Sequence, residues 1–232
     1  MAALFTLMVF VAIMIATYKA PPTIAVSVLR DITDKHVSQP TAAELFSFYD
    51  FTGDRKWSGA SLRFSNLTDV SYNHTSEVAI PKMNRWFSNE VERERAIGKF
   101  QNDIAKIITD ASNDSTGREH SAVYLPITME LMRLSESKAE RRILIIYSDL
   151  MENDLDVSLY KKDELQLLES HPDSLKELFE KRQALPSLRG IEVHLIFQPE
   201  NPDADKKYRM VSTFYKTLLE SKGAQVTIGA NL

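Results

Sequence analysis

Two short apolar runs constrain this chain more than any other feature. Thr23–Leu29 (TIAVSVL) and Ile143–Tyr147 (ILIIY) are nearly continuous in apolar residues and rich in β-branched ones. A strand with one wet face alternates apolar and polar side chains. A strand without that alternation is buried on both faces, as in a parallel sheet covered by helices. Ile191–Phe197 (IEVHLIF) and Gln225–Ile228 read as further strands, the last one at a sheet edge. Ser61–Phe64 and Glu77–Ile80 read as two shorter strands, a possible hairpin.

Between these runs the apolar period switches to that of a helix. Thr41-Ala-Ala-Glu44 is a capping-box pattern that opens a helix through Leu45, Phe46 and Phe48. Phe51–Gly59 reads as a loop. Ser88 can cap a long helix to about Ser112, with Ile97, Phe100, Ile104, Ile107, Ile108 and Ala111 at helical spacing. Ser121–Leu134 reads as a helix with Tyr124, Ile127, Leu131 and Leu134 on one face, and residues 156–185 as helix broken at Pro172. Asn201-Pro202 is an N-cap with Pro at the first helical position, and Gly223 ends the helix it opens. Strands separated by amphipathic helices predict βαβ units. The expected fold over residues 23–232 is α/β: doubly wound, with a mainly parallel central sheet and helices on both faces.

Residues 1–18 (MAALFTLMVFVAIMIATY) carry no charged side chain, and Lys19 with Pro21-Pro22 ends the run. That length is just enough to span a bilayer core. A cleaved signal peptide would bring a basic start and a small-x-small cleavage site. Here no Lys or Arg precedes the run, Tyr18 lies two before Ala20, and Pro21 comes directly after it. Residues 1–20 are therefore read as an uncleaved N-terminal hydrophobic helix that anchors the chain. The alternatives are a signal segment, with secretion after cleavage, and a buried helix of the domain. A single N-terminal anchor commonly exports the rest of its chain, which places the domain outside the cytoplasm; Lys19 alone favours the cytoplasmic face.

Composition removes several functions. Lys+Arg is 28 against Asp+Glu 32, so the charge gives no reason to expect nucleic acid as a partner. Cysteine is absent, which removes thiol nucleophiles, disulfides and zinc ribbons. Only seven glycines occur, and no Gly-rich phosphate loop or Gly-x-Ser-x-Gly elbow is present. None of the five histidines shows the i,i+4 spacing of a zinc-protease helix. His194 alternates with Ile191, Val193 and Leu195, and is expected to face solvent or a covering helix. Trp57 and Trp86 flank the expected hairpin, as core or as binding surface. The acidic run Asp149, Glu152, Asp154 and Asp156 reads as a solvated loop.

Ligands of open α/β sheets sit at the carboxyl ends of the strands. The first strand ends in Leu29-Arg30-Asp31-Ile32-Thr33-Asp34-Lys35, the ILIIY strand in Ser148-Asp149-Leu150, and Ser121 opens a helix after a polar loop. One carboxylate on each of two central strands, with hydroxyls nearby, makes an oxygen-rich pocket of the kind hard cations prefer. His36 and His120 are the histidines nearest this pocket along the chain. This order resembles the von Willebrand factor A family, whose metal-ion-dependent adhesion site uses Asp-x-Ser-x-Ser, a later Thr and a later Asp. Asp31 and Thr33 match the first two positions, Lys35 departs from the third, Ser121 stands for the Thr, and Asp149 matches the late Asp. The resemblance implies a metal site of Asp31, Thr33, Ser121 and Asp149 that holds Mg²⁺ or Mn²⁺. An acidic residue of a protein partner would complete the coordination. Lys35 offers an ammonium in the cation's place, which would make the rim metal-free. The expected function is a membrane-tethered, non-enzymatic protein-interaction module. A metal-dependent phosphohydrolase using Asp31 and Asp149, or a metal-free assembly subunit, is the alternative.

Overall fold

The computed structural model describes residues 22–33, 37–67, 75–113, 122–154 and 157–232. The N-terminal hydrophobic segment, Lys35, His36, His74, His120, Ser121 and Asp156 lie outside the described residues. Among the described residues, no helix is long and apolar enough to cross a membrane.

Among the described residues, six strands form one sheet: β1 (Thr23–Asp31), β2 (Gly59–Leu67), β3 (Thr75–Ile80), β4 (Arg141–Tyr147), β5 (Ile191–Ile196) and β6 (Gln225–Gly229), in the order β3-β2-β1-β4-β5-β6. All neighbours are parallel except β2 and β3, the hairpin at one edge. The chain winds outward from β1 through β2 and β3, then returns to the other side of β1 at β4. The carboxyl ends of β1 and β4 are thus where the winding reverses, the crevice that open α/β sheets use for ligands.

Among the described residues, six helices cover the sheet: α1 (Ala42–Ser47), α2 (Glu90–Ser112), α3 (Tyr124–Glu136), α4 (Lys162–Ser170), α5 (Pro172–Arg182) and α6 (Pro202–Ser221). Arg30 donates to the Ala111 carbonyl of α2, and Phe48 at the end of α1 packs edge-on against His194 of β5. These contacts put α1 and α2 on one face. Arg133 of α3 reaches Ser27 Oγ on the opposite face at 2.6 Å, and Glu130 meets Arg63 of β2 there at 3.2 Å. Tyr124, Phe179 and Phe214 tie α3, α5 and α6 into that second layer. Buried Val26, Val28, Leu144, Ile145 and Ile146 fill the middle, as expected for strands without alternation.

Local chemistry explains most element ends. The capping box at Thr41 forms in full: Glu44 N–H donates to Thr41 Oγ1 at 3.2 Å, and Thr41 N–H donates to Glu44 Oε2 at 2.7 Å. The cap of α2 is Asn89 rather than Ser88, because Asn89 Oδ1 accepts from both Val91 and Glu92 N–H. Phe51–Gly59 is not plain loop: Gly53–Trp57 forms a 3-10 turn that buries Trp57. Helix is absent from 157–161, where Asn153 and Ser158 form an isolated bridge, and α4 starts only at Lys162. Gly223, at φ +97, closes α6 in the left-handed conformation that glycine adopts freely.

One buried cation fixes the amino-terminal end of the sheet. Arg93 of α2 is fully buried and donates to three carbonyls: Lys56 at 2.6 Å, Pro81 at 2.9 Å, and Ser58. Its guanidinium also lies over the Phe51 ring. Arg93→Met would strip three carbonyls, one of them buried, of their donor, so a loss of about 3 kcal/mol is expected, read as a lowered urea midpoint. Arg93→Lys should recover part of that loss. A change below about 1 kcal/mol in Arg93→Met would show that the cation is not the pin.

Candidate functional site

β1 runs two residues past the expected Leu29 and carries Arg30 and Asp31 to the carboxyl rim of the sheet. Asp31 is 1% exposed. Its Oδ1 accepts from Thr33 N–H at 2.9 Å and from Thr33 Oγ1 at 2.6 Å, and its Oδ2 accepts from Ser148 Oγ at 3.0 Å. The register that pairs Arg30 with Tyr147 sets Asp31 opposite Ser148, so the bond is a direct result of the parallel pairing. Ser148 Oγ also accepts from Leu150 N–H, and Leu150 takes a positive φ of 63 to make that turn.

Asp149 occupies the same rim, two residues beyond the end of β4. Its Oδ1 accepts from Met151 N–H at 2.9 Å and its Oδ2 from the Tyr160 hydroxyl at 3.1 Å. It borders a cavity of about 350 Å³ lined also by Tyr160, Phe197, Asn201, Lys207 and Tyr208. Asp31 and Thr33 are therefore in contact, Ser148 joins them across the strands, and Asp149 faces the neighbouring cavity. Ser121, the remaining expected ligand, lies outside the described residues.

The described residues of the acidic run after β4 do not form a solvated loop: Asp149 and Asp154 are half-buried. Glu152 is fully buried, and its Oε2 accepts from Val123 N–H at 3.0 Å and from Tyr124 N–H at 2.7 Å. Those are the first donors of α3, whose own N-cap residue, Val123, has no side-chain acceptor to offer. Burial pushes the Glu152 carboxyl up to about 8, against the lowering effect of the two N–H bonds, and Asp154 beside it pushes the same way. Arg182 pairs with Asp154 and stands 3.7 Å from Glu152 Oε1. Glu152 is thus a cap supplied to α3 from a distant part of the chain, and it holds that helix start at the rim.

The rim has a defined donor chemistry. Carboxylate and hydroxyl oxygens are the ligands that a hard cation such as Mg²⁺ or Mn²⁺ takes, so the residues present suit such an ion in kind. Among the described residues, no cluster of three or more His, Asp or Glu side chains is spaced to hold a metal. A cation here would depend on the hydroxyls of Thr33 and Ser148 as much as on Asp31. Of the aromatic residues flanking the hairpin, Trp57 is core and Trp86 is exposed. His194 is half-buried under Phe48, and its pKa is lowered by that burial. Asn66, the first residue of an Asn-x-Thr triplet, is buried in β2 and closed to glycosylation. No family model matches the chain, and no curated protein matches it.

The Glu152 carboxyl makes a signed prediction. Unfolded, it loses its proton near the ordinary 4.5; folded, it keeps it to about 8. Between those values the unfolded chain binds fewer protons, so stability falls as pH rises. Glu152→Gln keeps an acceptor for Val123 and Tyr124 and removes the titration. The wild-type urea midpoint, compared with Glu152→Gln, should fall progressively from about pH 5 to about pH 8. A difference independent of pH would show that Glu152 is ionised in the fold.

Proposed function

We propose that this chain is a membrane-tethered, non-enzymatic interaction module that binds a protein partner at the carboxyl rim of its sheet. The observation that carries the reading is Asp31: a carboxylate 1% exposed, held by the hydroxyls of Thr33 and Ser148 where the sheet winding reverses. Burying a carboxylate costs stability unless its hydrogen bonds offset the lost hydration. A charge placed at that cost on a binding rim fits a recognition or ligating role. The hairpin after the first helix, implied by the resemblance to the von Willebrand factor A family, supports the same reading. Mg²⁺ or Mn²⁺, held by Asp31, Thr33, Ser121 and Asp149 directly or through water, would leave a position for an acidic partner residue. The anchor in residues 1–20 would keep the domain on the extracytoplasmic side of the membrane.

Two measurements with one variant test the reading. Full-length protein in detergent, supplied with Mg²⁺ or Mn²⁺, should show no hydrolysis of p-nitrophenyl phosphate above background. Asp149→Ala should lose the partner cross-linked to the wild type in native membranes while melting within a few degrees of it. Cation-dependent turnover that Asp149→Ala abolishes would make the protein a phosphohydrolase. Partner recovery unchanged in Asp149→Ala would move the interface off this rim, as in a metal-free assembly subunit.

A further inference from the structure

The opposite end of the sheet carries an exposed aromatic turn, and the chain enters the domain beside it. Pro22 precedes β1, and its carbonyl accepts from Gly59 N–H at 3.1 Å. Gly59 lies so close to the next segment that a Cβ on it would stand 3.1 Å from the Lys82 nitrogen, and Met83 N–H donates to the Trp57 carbonyl at 3.0 Å. The turn beyond Met83 is fixed. Trp86 N–H donates to Asn84 Oδ1 at 2.9 Å, Phe87 N–H donates to the Asn84 carbonyl at 3.2 Å, and Arg93 holds the Pro81 carbonyl. On it stand Trp86 at 62% exposure and Phe87 at 89%, with Val91 at 54% in the first turn of α2. The Arg85 guanidinium lies over the Trp86 ring, 5.8 Å from its centre.

Single exposed apolar residues are ordinary, whereas large ones grouped on a rigid turn mark a contact surface. The tether decides what that surface meets. Four residues, 19–22, separate the charge-free apolar run from β1, and four residues extend at most ~14 Å. With residues 1–18 in the bilayer, the amino-terminal end of the sheet cannot leave its surface. Tryptophan concentrates at headgroup depth, where its apolar body and its N–H are both satisfied, and arginine keeps its charge in the wet layer. We infer that Trp86 and Phe87 insert into the headgroup layer of the lipid bilayer and form a second contact that fixes the domain's orientation. Because β1 has nine residues at ~3.3 Å each, the Asp31 rim then stands ~30 Å above the lipid, facing outward. The inference rests on the anchor reading of residues 1–20 and deepens it.

The chain supplies its own probe, because its two tryptophans are the buried Trp57 and the exposed Trp86. Full-length protein is reconstituted into phosphatidylcholine vesicles, plain or brominated near the headgroup end of the acyl chains. Flotation reports anchoring, and bromine quenching reports the depth of Trp86. The expected result is flotation of both proteins, with loss of wild-type emission in brominated vesicles that disappears in Trp86→Phe, an exposed and fold-neutral change. Flotation with equal fractional quenching in wild type and Trp86→Phe overturns the inference and leaves the anchor standing; the turn would then face protein. Failure to float overturns both.

Discussion

The parallel pairing of β1 with β4 is the contact on which the other features depend. Both strands are apolar on both faces, so water must be excluded from each side of the sheet. One layer of helices could not do this. The α1–α2 layer and the α3–α5–α6 layer are therefore required by the same two runs of residues. Placing β4 beside β1, with β2 on the other side, creates the point of reversal at the carboxyl ends. The register then sets Asp31 against Ser148. The core pairing and the polar rim are consecutive parts of one ladder.

Three buried or nearly buried polar side chains complete what the backbone leaves open. Arg93 supplies donors to the Lys56, Ser58 and Pro81 carbonyls at the amino-terminal end of the sheet. Glu152 supplies acceptors to the first N–H groups of α3, which a valine precedes. Asp31 gathers the Thr33 N–H and two hydroxyls at the rim. Arg93 orders the turn that bears Trp86, while Asp31 and Glu152 order the rim. The two ends of the sheet are built separately, and each presents a different surface.

Much of the architecture is legible in the sequence because it arises from local pattern. The unalternating runs at 23–29 and 143–147 give the central strands, and the Thr41–Glu44 and Asn201-Pro202 signals open helices at those positions. The cap of α2 lies one residue later than expected because Ser88 and Asn89 are both competent caps and only the geometry selects between them. Asp31 is legible as a strand-end carboxylate, and its bond to Ser148 is not, since register across 117 residues leaves no local mark. Glu152 lies in a run of acids that reads as solvated. Only its distant partners, the N–H groups of Val123 and Tyr124, make it a buried cap. Asp149 is at the rim as expected, but the direction of its carboxylate depends on Tyr160, whose position comes from the loop after β4.

A cation-bearing rim is tested most directly by heat. Full-length protein in detergent is melted in EDTA and then in millimolar Mg²⁺ or Mn²⁺, with Asp149→Ala alongside. A cation at ~100 times its dissociation constant adds about 2.7 kcal/mol to the folded state, which raises the midpoint by several degrees. The rise should occur in the wild type and vanish in Asp149→Ala. No rise with either ion, or an equal rise in both proteins, would contradict a cation held between the ends of β1 and β4.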